Sequence, residues 1–239
     1  MTSPSVVAVP VNRSDTALHH TLYERALIDL WPHLSFADEQ PLRRICDLGC
    51  GEGVMTEALS ATFPKAQVLA LGASARAMDK ARSLSPRPQW VEAETDDWQR
   101  LLASEGPFDL IICHNGWPLG WGLADGLERL IEVTARGGQI LIHLNLSLFE
   151  ALEPGLGLFS DLAAAYARLG HLTTAKGLDV WRTDYAPQAS VSALEGLLDA
   201  HLFNTDETRT RAPVIAALKN QMTTDGRLIS RHLFIKIGL

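Results

Sequence analysis

Short apolar runs alternate with amphipathic helical patterns through the first 146 residues of the chain. The apolar runs are RRICDLG, QVLALG, QWVEAE, FDLIICHN and QILIHLNL, and they are separated by VMTEALSATF, SARAMDKARSL, DDWQRLLASE and ADGLERLIEVTAR. Strands that are apolar on both sides are typical of a parallel sheet with helices on both faces and right-handed crossovers. The sequence therefore predicts an α/β, Rossmann-like, doubly wound fold.

The ends of these elements follow from capping and breaking residues. Residues 1–13 are predicted to be a flexible arm, and residues 14–239 a single domain. Ser14 and Asp15 can cap a first helix that runs to about Leu34. The helix ADGLERLIEVTAR is predicted to end at the glycine pair that follows it.

The last third of the chain departs from the alternation. Residues 147–177 predict a helical insertion that caps the carboxyl edge of the sheet. LDVWRTDYA predicts a strand, and SVSALEGLLDAHLF and RAPVIAALKNQM predict helices. The alternation in DGRLISRHLFIKIGL predicts a terminal strand after a turn at Asp225 and Gly226. The expected sheet is mostly parallel, with about seven strands.

Composition excludes several classes of protein. The net charge of −7 and the pI near 5.6 argue against a nucleic-acid binder, which needs clustered lysine and arginine. The sequence has no secretory leader pattern and no apolar run of membrane-spanning length, so we expect a cytoplasmic protein. Cys46, Cys50 and Cys113 lack metal-ligand spacing, and we expect buried, reduced thiols and no bound metal.

A glycine-rich turn follows the first predicted strand. Asp47 and the glycines at 49, 51 and 53 fall at the carboxyl end of that strand, where ligands of such sheets bind. Glycines let the backbone pass close to a ligand. A carboxylate under this turn would repel a pyrophosphate but attract a sulfonium cofactor with an amino-acid tail.

The segment ICDLGCGEG resembles motif I of the class I S-adenosylmethionine (SAM)-dependent methyltransferases. FDLIICHNGWPLGW and LERLIEVTARGGQILI resemble the fourth and fifth strand segments of that family, and the similarity covers residues 14–146. The closing segment, DGRLISRHLFIKIGL, is more weakly similar to the malonyl-acyl-carrier-protein O-methyltransferases of biotin synthesis. Those enzymes open their last strand with a tyrosine-containing segment, where this chain has RLISRH.

The resemblance implies SAM as the cofactor and gives roles to particular positions. The methionine portion would be held by Asp47, Gly49, Cys50 and Gly51, and Gly53 would allow close helix packing. The adenosine would contact Gly72, Ala73, Met78, Glu94, Thr95 and Asp96. His114 and Asn115 would face the methyl group and the acceptor.

Position 72 departs from the family pattern. The resemblance implies an aspartate or glutamate that bonds both ribose hydroxyls, whereas this chain has Gly72. Losing a charge-assisted hydrogen bond would weaken binding roughly 10- to 100-fold. Three readings stay open: a methyltransferase that tolerates the change, a noncatalytic partner or binding subunit with this fold, and an NADP-binding protein that uses Ser74 and Arg76.

The expected acceptor is a small carboxylate or a carrier-bound acyl group. A carboxylate needs no general base, and for a hydroxyl or amine His114 is the candidate base. Tyr23 is a candidate lid or substrate contact, and Trp117, Arg182 and Arg231 are candidate substrate contacts. Further apolar area for the acceptor would come from Trp121, Phe149, Phe159 and Trp181. His143, inside the fifth strand, is predicted to be structural.

Overall fold

A computed structural model describes residues 17–34, 42–118, 120–152, 178–199 and 207–239. The predicted arm, the caps at Ser14 and Asp15, and most of the predicted insertion lie outside these residues. Within the described residues, no helix is long and apolar enough to span a bilayer.

Seven strands form one sheet. They are β1 (Arg44–Leu48), β2 (Gln67–Gly72), β3 (Gln89–Glu92), β4 (Phe108–His114), β5 (Thr134–Asn145), β6 (Leu178–Tyr185) and β7 (Ser230–Gly238). Their order is β3-β2-β1-β4-β5-β7-β6, and only β7 runs antiparallel to its two neighbours. The predicted doubly wound, mostly parallel sheet is confirmed. Strand order reverses between β1 and β4, where ligands of such sheets bind.

Eight helices lie in the described part of the chain. They are α1 (Ala17–Leu30), α2 (Val54–Thr62), α3 (Ala75–Leu84), α4 (Trp98–Glu105), α5 (Leu123–Glu132), α6 (Leu146–Leu152), α7 (Val191–Asp199) and α8 (Glu207–Lys219). Single 3₁₀ turns follow α1 at Trp31–His33 and precede α4 at Thr95–Asp97. Ser190 caps α7 by accepting a hydrogen bond from the Ala193 amide.

Two predicted boundaries are wrong. Helix α5 ends at Glu132, before Gly137 and Gly138, because those glycines belong to β5 and exchange backbone hydrogen bonds with Leu239. The predicted third strand is shorter, since the chain turns into the 3₁₀ turn after Glu92. The turn before the last strand is confirmed at Gly226, which has a φ of 78°.

Two apolar layers cover the two faces of the sheet. The first joins α4 and α5 to the sheet, with Trp98, Leu102, Leu123 and Leu127 as members. The second joins α1, α2, α6, α7 and α8 to the other face, with Leu22, Leu59, Leu148, Leu194 and Leu218 as members. Because side chains alternate along a strand, Asp47 and His114 point toward the second layer, as their neighbours Ile45 and Ile112 do.

Candidate active site

The glycine-rich turn between β1 and α2 has a left-handed backbone. The φ angles of Gly49, Gly51 and Gly53 are 73°, 51° and 83°, values that favour glycine. The amides of Gly49 and Cys50 both donate to the carbonyl of Leu71, at 2.8 and 3.0 Å, which ties the turn to the end of β2. The turn is therefore held rigidly across two adjacent strands.

The three glycines face different surroundings. A Cβ on Gly49 would lie 2.2 Å from the carbonyl oxygen of Gly116, so the turn after β1 touches the loop after β4. A Cβ on Gly53 would meet Ala81 and Trp90, which pack against it. A Cβ on Gly51 would have no neighbour within 4 Å. Gly51 is thus the glycine that faces open space.

Asp47 is almost completely buried beneath this turn. Its side chain is 1% exposed, and it accepts a 2.5 Å hydrogen bond from the hydroxyl of Thr56 on α2. Burial raises the pKa of Asp47 to about 7, and the Thr56 bond opposes that rise. A carboxylate with this pKa gains from a neighbouring positive charge, which would favour its ionised form.

The predicted adenosine contacts surround the ends of β2 and β3. Gly72 is buried against Cys50 and Met78, two sulfur-containing side chains. Ala73 is partly buried, and the next residue, Ser74, caps α3 by accepting from the Ala77 amide at 3.3 Å. Glu94 and Asp96 are exposed beside the 3₁₀ turn, with Thr95 half-buried between them. The sulfur pair is therefore buried at the β2 end, while the two carboxylates after β3 face solvent.

His114 begins a row of three histidines on the face covered by α1. Its ring lies 4.6 Å from that of His143, which stacks on His232 at 5.0 Å. Nε2 of His143 and Nδ1 of His232 are 2.7 Å apart, a hydrogen-bonding distance. Burial lowers the pKa of His232 to about 3, so that ring is neutral at physiological pH.

One proton arrangement satisfies the groups around His232. If His143 Nε2–H donates to His232 Nδ1, then His232 Nε2–H donates to the hydroxyl of Ser230 at 2.8 Å. That hydroxyl then donates to the side-chain oxygen of Asn145 at 3.3 Å. If the His143–Ser230 hydrogen bonds ran in the opposite direction, the Ser230 hydroxyl would donate to His232 and could no longer donate to Asn145. We therefore assign the first arrangement, in which His143 keeps its Nδ1 lone pair.

Asn115 connects this row to the loop after β4. Its φ of 58° is the one left-handed non-glycine backbone angle among the described residues. Its side-chain oxygen accepts a 2.8 Å hydrogen bond from the Asn145 amide, which stabilises that strained conformation. A water-sized cavity of about 10 Å³ lies here, lined by Leu22, Tyr23, Asn115, His143, Asn145, Leu197 and His232.

Tyr23 brings α1 over both parts of the site. Its ring stands edge-on against the His114 imidazole, with centroids 4.0 Å apart. Its oxygen hydrogen-bonds with the Met55 backbone at the start of α2, and burial, with a smaller contribution from Asp47, raises the pKa of the phenol. Tyr23 is thus placed as a cover, the position expected of a lid.

Arg182 and Arg231, the two candidate substrate contacts, line the same cavity. The cavity has a volume of about 320 Å³ and is also lined by Leu146 and Asp184. Arg231 forms an ion pair with Glu150 on α6, which orients its guanidinium. The cavity lies at the carboxyl ends of β5 and β6, the edge at which the glycine turn also lies. The arginines stand on the face of the first layer, because Arg182 is the register partner of Leu233, whereas His114 points toward the second layer.

The family assignment rests on the sequence comparisons. Residues 45–138 match the family model described as a methyltransferase domain. The trans-aconitate 2-methyltransferase of Methylobacterium nodulans is 30% identical over 191 residues, covering 66% of this chain and 72% of that protein. The chain belongs to the class I SAM-dependent methyltransferases.

Other relatives extend this result. The trans-aconitate 2-methyltransferase of Paracidovorax citrulli is 29% identical over 169 residues, covering 63% of this chain and 64% of that protein. The methyltransferase described here therefore matches just under two thirds of that relative's length. The crystal structure of YcgJ from Bacillus subtilis is similar with a TM-score of 0.57 and 13% identity, over 92% of this chain and 98% of that one. That likeness shows the fold.

Two of the tryptophans that the sequence suggested as acceptor contacts, Trp117 and Trp121, are buried in the core. Trp117 is 3% exposed, donates its indole N–H to the Trp121 carbonyl at 3.0 Å, and packs against Gly126 of α5. Both tryptophans belong to the apolar layer under α4 and α5, as does the buried Phe149. Trp181 stacks on Phe234, and Phe159 lies outside the described residues. Trp117 is thus a core residue and lines neither cavity described above.

Sequence reasoning missed several residues of the candidate site. Thr56, Gly116, Asn145, Ser230 and His232 meet the predicted residues only through the fold. One signal was present in the sequence, since Ser230 and His232 are polar residues two positions apart at the start of a strand that is mostly apolar. Such spacing puts two side chains on one face of a strand.

Proposed function

We propose that this chain is a SAM-dependent O-methyltransferase whose acceptor is a small carboxylate. The observation that carries the proposal is the backbone contact between Gly49 and Gly116. It joins the turn above Asp47 to the loop that follows His114, so donor and acceptor sites would share one edge of the sheet. Ligands of doubly wound sheets bind at that edge.

The residues of the turn fit a positively charged cofactor without phosphate. Asp47 is buried and its pKa is raised to about 7, so a cation beside it would stabilise the carboxylate form. Gly51 faces open space and would let a ligand approach the backbone. When bound, SAM supplies a methyl group on a positively charged sulfur. A phosphate-bearing dinucleotide would meet repulsion from Asp47 instead, and no observation favours NADP.

The chain's own groups would bind, orient and exclude water. A carboxylate acceptor is already ionised at neutral pH, so no proton has to be removed from it. His114 would then shape the acceptor site rather than act as a base, with Tyr23 packed over it as a cover. Methyl transfer of this kind depends mainly on positioning and on the exclusion of water.

Arg182 and Arg231 would bind the negative charge of the acceptor. Two guanidinium groups at one cavity match a ligand with more than one carboxylate. The named relatives support this acceptor class, because their names give trans-aconitate as their substrate. Those names give no support to a malonyl-carrier acceptor, which stays a prediction from the last strand.

The test is methyl transfer from radiolabelled SAM to trans-aconitate and to a panel of small di- and tricarboxylates. The expected product is a methyl ester, which mild alkali hydrolyses. Arg182→Met and Arg231→Met are expected to raise KM for the acceptor about 10- to 100-fold. Arg136→Met is the matched control, because Arg136 is exposed and lies at the opposite end of β5, and this variant should leave KM unchanged.

A noncatalytic role as a partner or binding subunit is the second candidate, and Gly72 favours it because the expected ribose-binding acid is missing. The two candidates differ in outcome. Binding of S-adenosylhomocysteine without transfer to any carboxylate would support the noncatalytic role. Absence of measurable binding would overturn SAM as the cofactor.

A further inference from the structure

The space beside Gly72, at the end of β2, is filled by sulfur. A Cβ at this position would lie 2.8 Å from Sδ of Met78 and 3.1 Å from Sγ of Cys50. The two sulfur atoms are themselves 3.4 Å apart. The place that an acidic side chain at position 72 would enter is therefore occupied by two packed, apolar groups.

These groups have little room to move. Met78 is 0% exposed, and it forms a small apolar cluster with Cys50 and Ala70 against which Trp90 packs. The backbone is fixed as well, because the carbonyl of Gly72 accepts a 3.0 Å hydrogen bond from the Ala93 amide. Buried side chains in close-packed surroundings shift only at a cost in stability.

Three carboxylates around this strand end are paired with cations. Glu52, which follows the glycine turn, pairs with Lys80. Glu92, the register partner of Gly72 on β3, lies 3.7 Å from Arg82, which also pairs with Asp79. Each of these three acids is at least partly exposed and is held by a cation of α3.

A nucleotide cofactor of a doubly wound fold normally meets an acid about 20 residues after the glycine turn, and that acid bonds the ribose hydroxyls. Here the residue at that distance is Gly72, next to the sulfur pair. We propose that Cys50 and Met78 close the space beside Gly72 in which such an acid would stand, so that the nucleoside subsite of this chain does not read the ribose hydroxyls. The cofactor is recognised through the glycine turn and Asp47 instead, so analogues altered at the ribose are accepted. This inference rests on the proposed use of SAM.

The first test needs no mutation. Calorimetry compares S-adenosylhomocysteine with its 2′-deoxy and 3′-deoxy analogues on the unmodified protein. The expected dissociation constants agree within about threefold, whereas the loss of hydrogen bonds to a carboxylate would change them about 10- to 100-fold. A tenfold or larger preference for the intact ribose overturns the proposal.

The second test is a double-mutant cycle. Gly72→Asp alone is expected to gain no affinity, because its side chain collides with Met78. Gly72→Asp combined with Met78→Ala opens the space and is expected to tighten S-adenosylhomocysteine at least about tenfold relative to Met78→Ala alone. In the double variant, the deoxy analogues should now bind less tightly than the parent compound.

The controls separate the failure modes. Thermal unfolding of each variant shows whether it is folded at the temperature of the titration, and the analogue comparison on the unmodified protein does not depend on any variant. If Gly72→Asp alone tightens binding and introduces discrimination, the sulfur pair does not close the space beside Gly72 and the inference fails. If the unmodified protein binds neither S-adenosylhomocysteine nor its analogues, the proposed cofactor fails instead.

Discussion

The ring of Tyr23 stands perpendicular to the imidazole of His114, with an interplanar angle of 85°. The same side chain reaches the Met55 backbone at the start of α2 with its oxygen. One residue of α1 therefore touches the two surfaces that a methyl donor and a methyl acceptor would occupy.

Tyr23→Phe should tighten S-adenosylhomocysteine by about threefold. Backbone amides in the first turn of a helix lack intrahelical partners and attract anions, so losing the phenol oxygen leaves the Met55 amide to the cofactor's carboxylate. The measurement is calorimetry at pH 7.5. Tyr185→Phe is the matched control, because it removes a phenol that bonds Asp29 of α1 at 2.6 Å and does not touch α2. Equal effects of the two variants would contradict the explanation.

Asp47→Asn should stabilise the fold at alkaline pH. Burial raises the pKa of Asp47 from 3.8 to about 7, so its ionisation destabilises the folded state as the pH rises from about 4 through 7. A shift of this size corresponds to roughly 4 kcal/mol. Urea unfolding should show the variant more stable than the unmodified protein at pH 8, with the difference vanishing near pH 4. A difference that is constant across this range would contradict the prediction.

The Asp47→Asn variant should also bind S-adenosylhomocysteine about tenfold more weakly. The asparagine cannot carry the negative charge that attracts the ammonium group of this ligand. Thr56→Val offers the complementary change. It removes the hydrogen bond that lowers the pKa of Asp47, so that pKa should rise further. The pH at which affinity falls on acidification should therefore move upward in a titration series.

Gly49→Ala should destabilise the protein more than Gly51→Ala. Both positions have positive φ, which costs an alanine about 1 to 2 kcal/mol. Only at Gly49 does the new methyl group collide with backbone, at 2.2 Å from the Gly116 oxygen, and overpacking adds roughly 1 to 3 kcal/mol. Unfolding in urea gives the two free energies. Equal losses of unfolding free energy in the two variants would mean that the backbone at Gly116 moves aside without a measurable cost.

His232→Gln tests the buried histidine row. Burial lowers the pKa of His232 from 6.5 to about 3, so the unmodified protein loses stability as the pH falls through this range while the unfolded chain takes up a proton. Glutamine does not titrate. The stability difference between the two proteins should thus change by roughly 3 kcal/mol in favour of the variant from pH 7 to pH 4. A flat difference would indicate that His232 has the same pKa in the folded state as in the unfolded chain.

The sequence was most informative where a local pattern carries the structure. Alternating apolar runs predicted all seven strands, and the glycine spacing after Asp47 predicted the turn, because both depend on residues close together in the chain. Contacts between distant elements were not accessible in this way. His143 and His232 are 89 positions apart, and only the antiparallel insertion of β7 beside β5 brings them together.

Residue type alone did not give the packing at two positions. Trp117 follows β4 in a segment expected to face the acceptor, yet the absence of a Cβ at Gly126 lets its ring sink into the core. At Gly72 the sequence shows a missing acid, but not that Met78, one turn into α3, fills the space it would need. Both outcomes depend on the space available between packed side chains, which cannot be read from a linear sequence pattern.

The contact between Gly49 and Gly116 also has a thermodynamic consequence. The backbone of each glycine occupies the space that a Cβ on the other would need. Neither turn can therefore shift without displacing the other. A ligand bound beside one turn should then change the free energy of binding beside the other, and by linkage this effect is equal in both directions. Cooperative binding of the two reactants would then arise from a contact between backbone atoms, with no side chain involved.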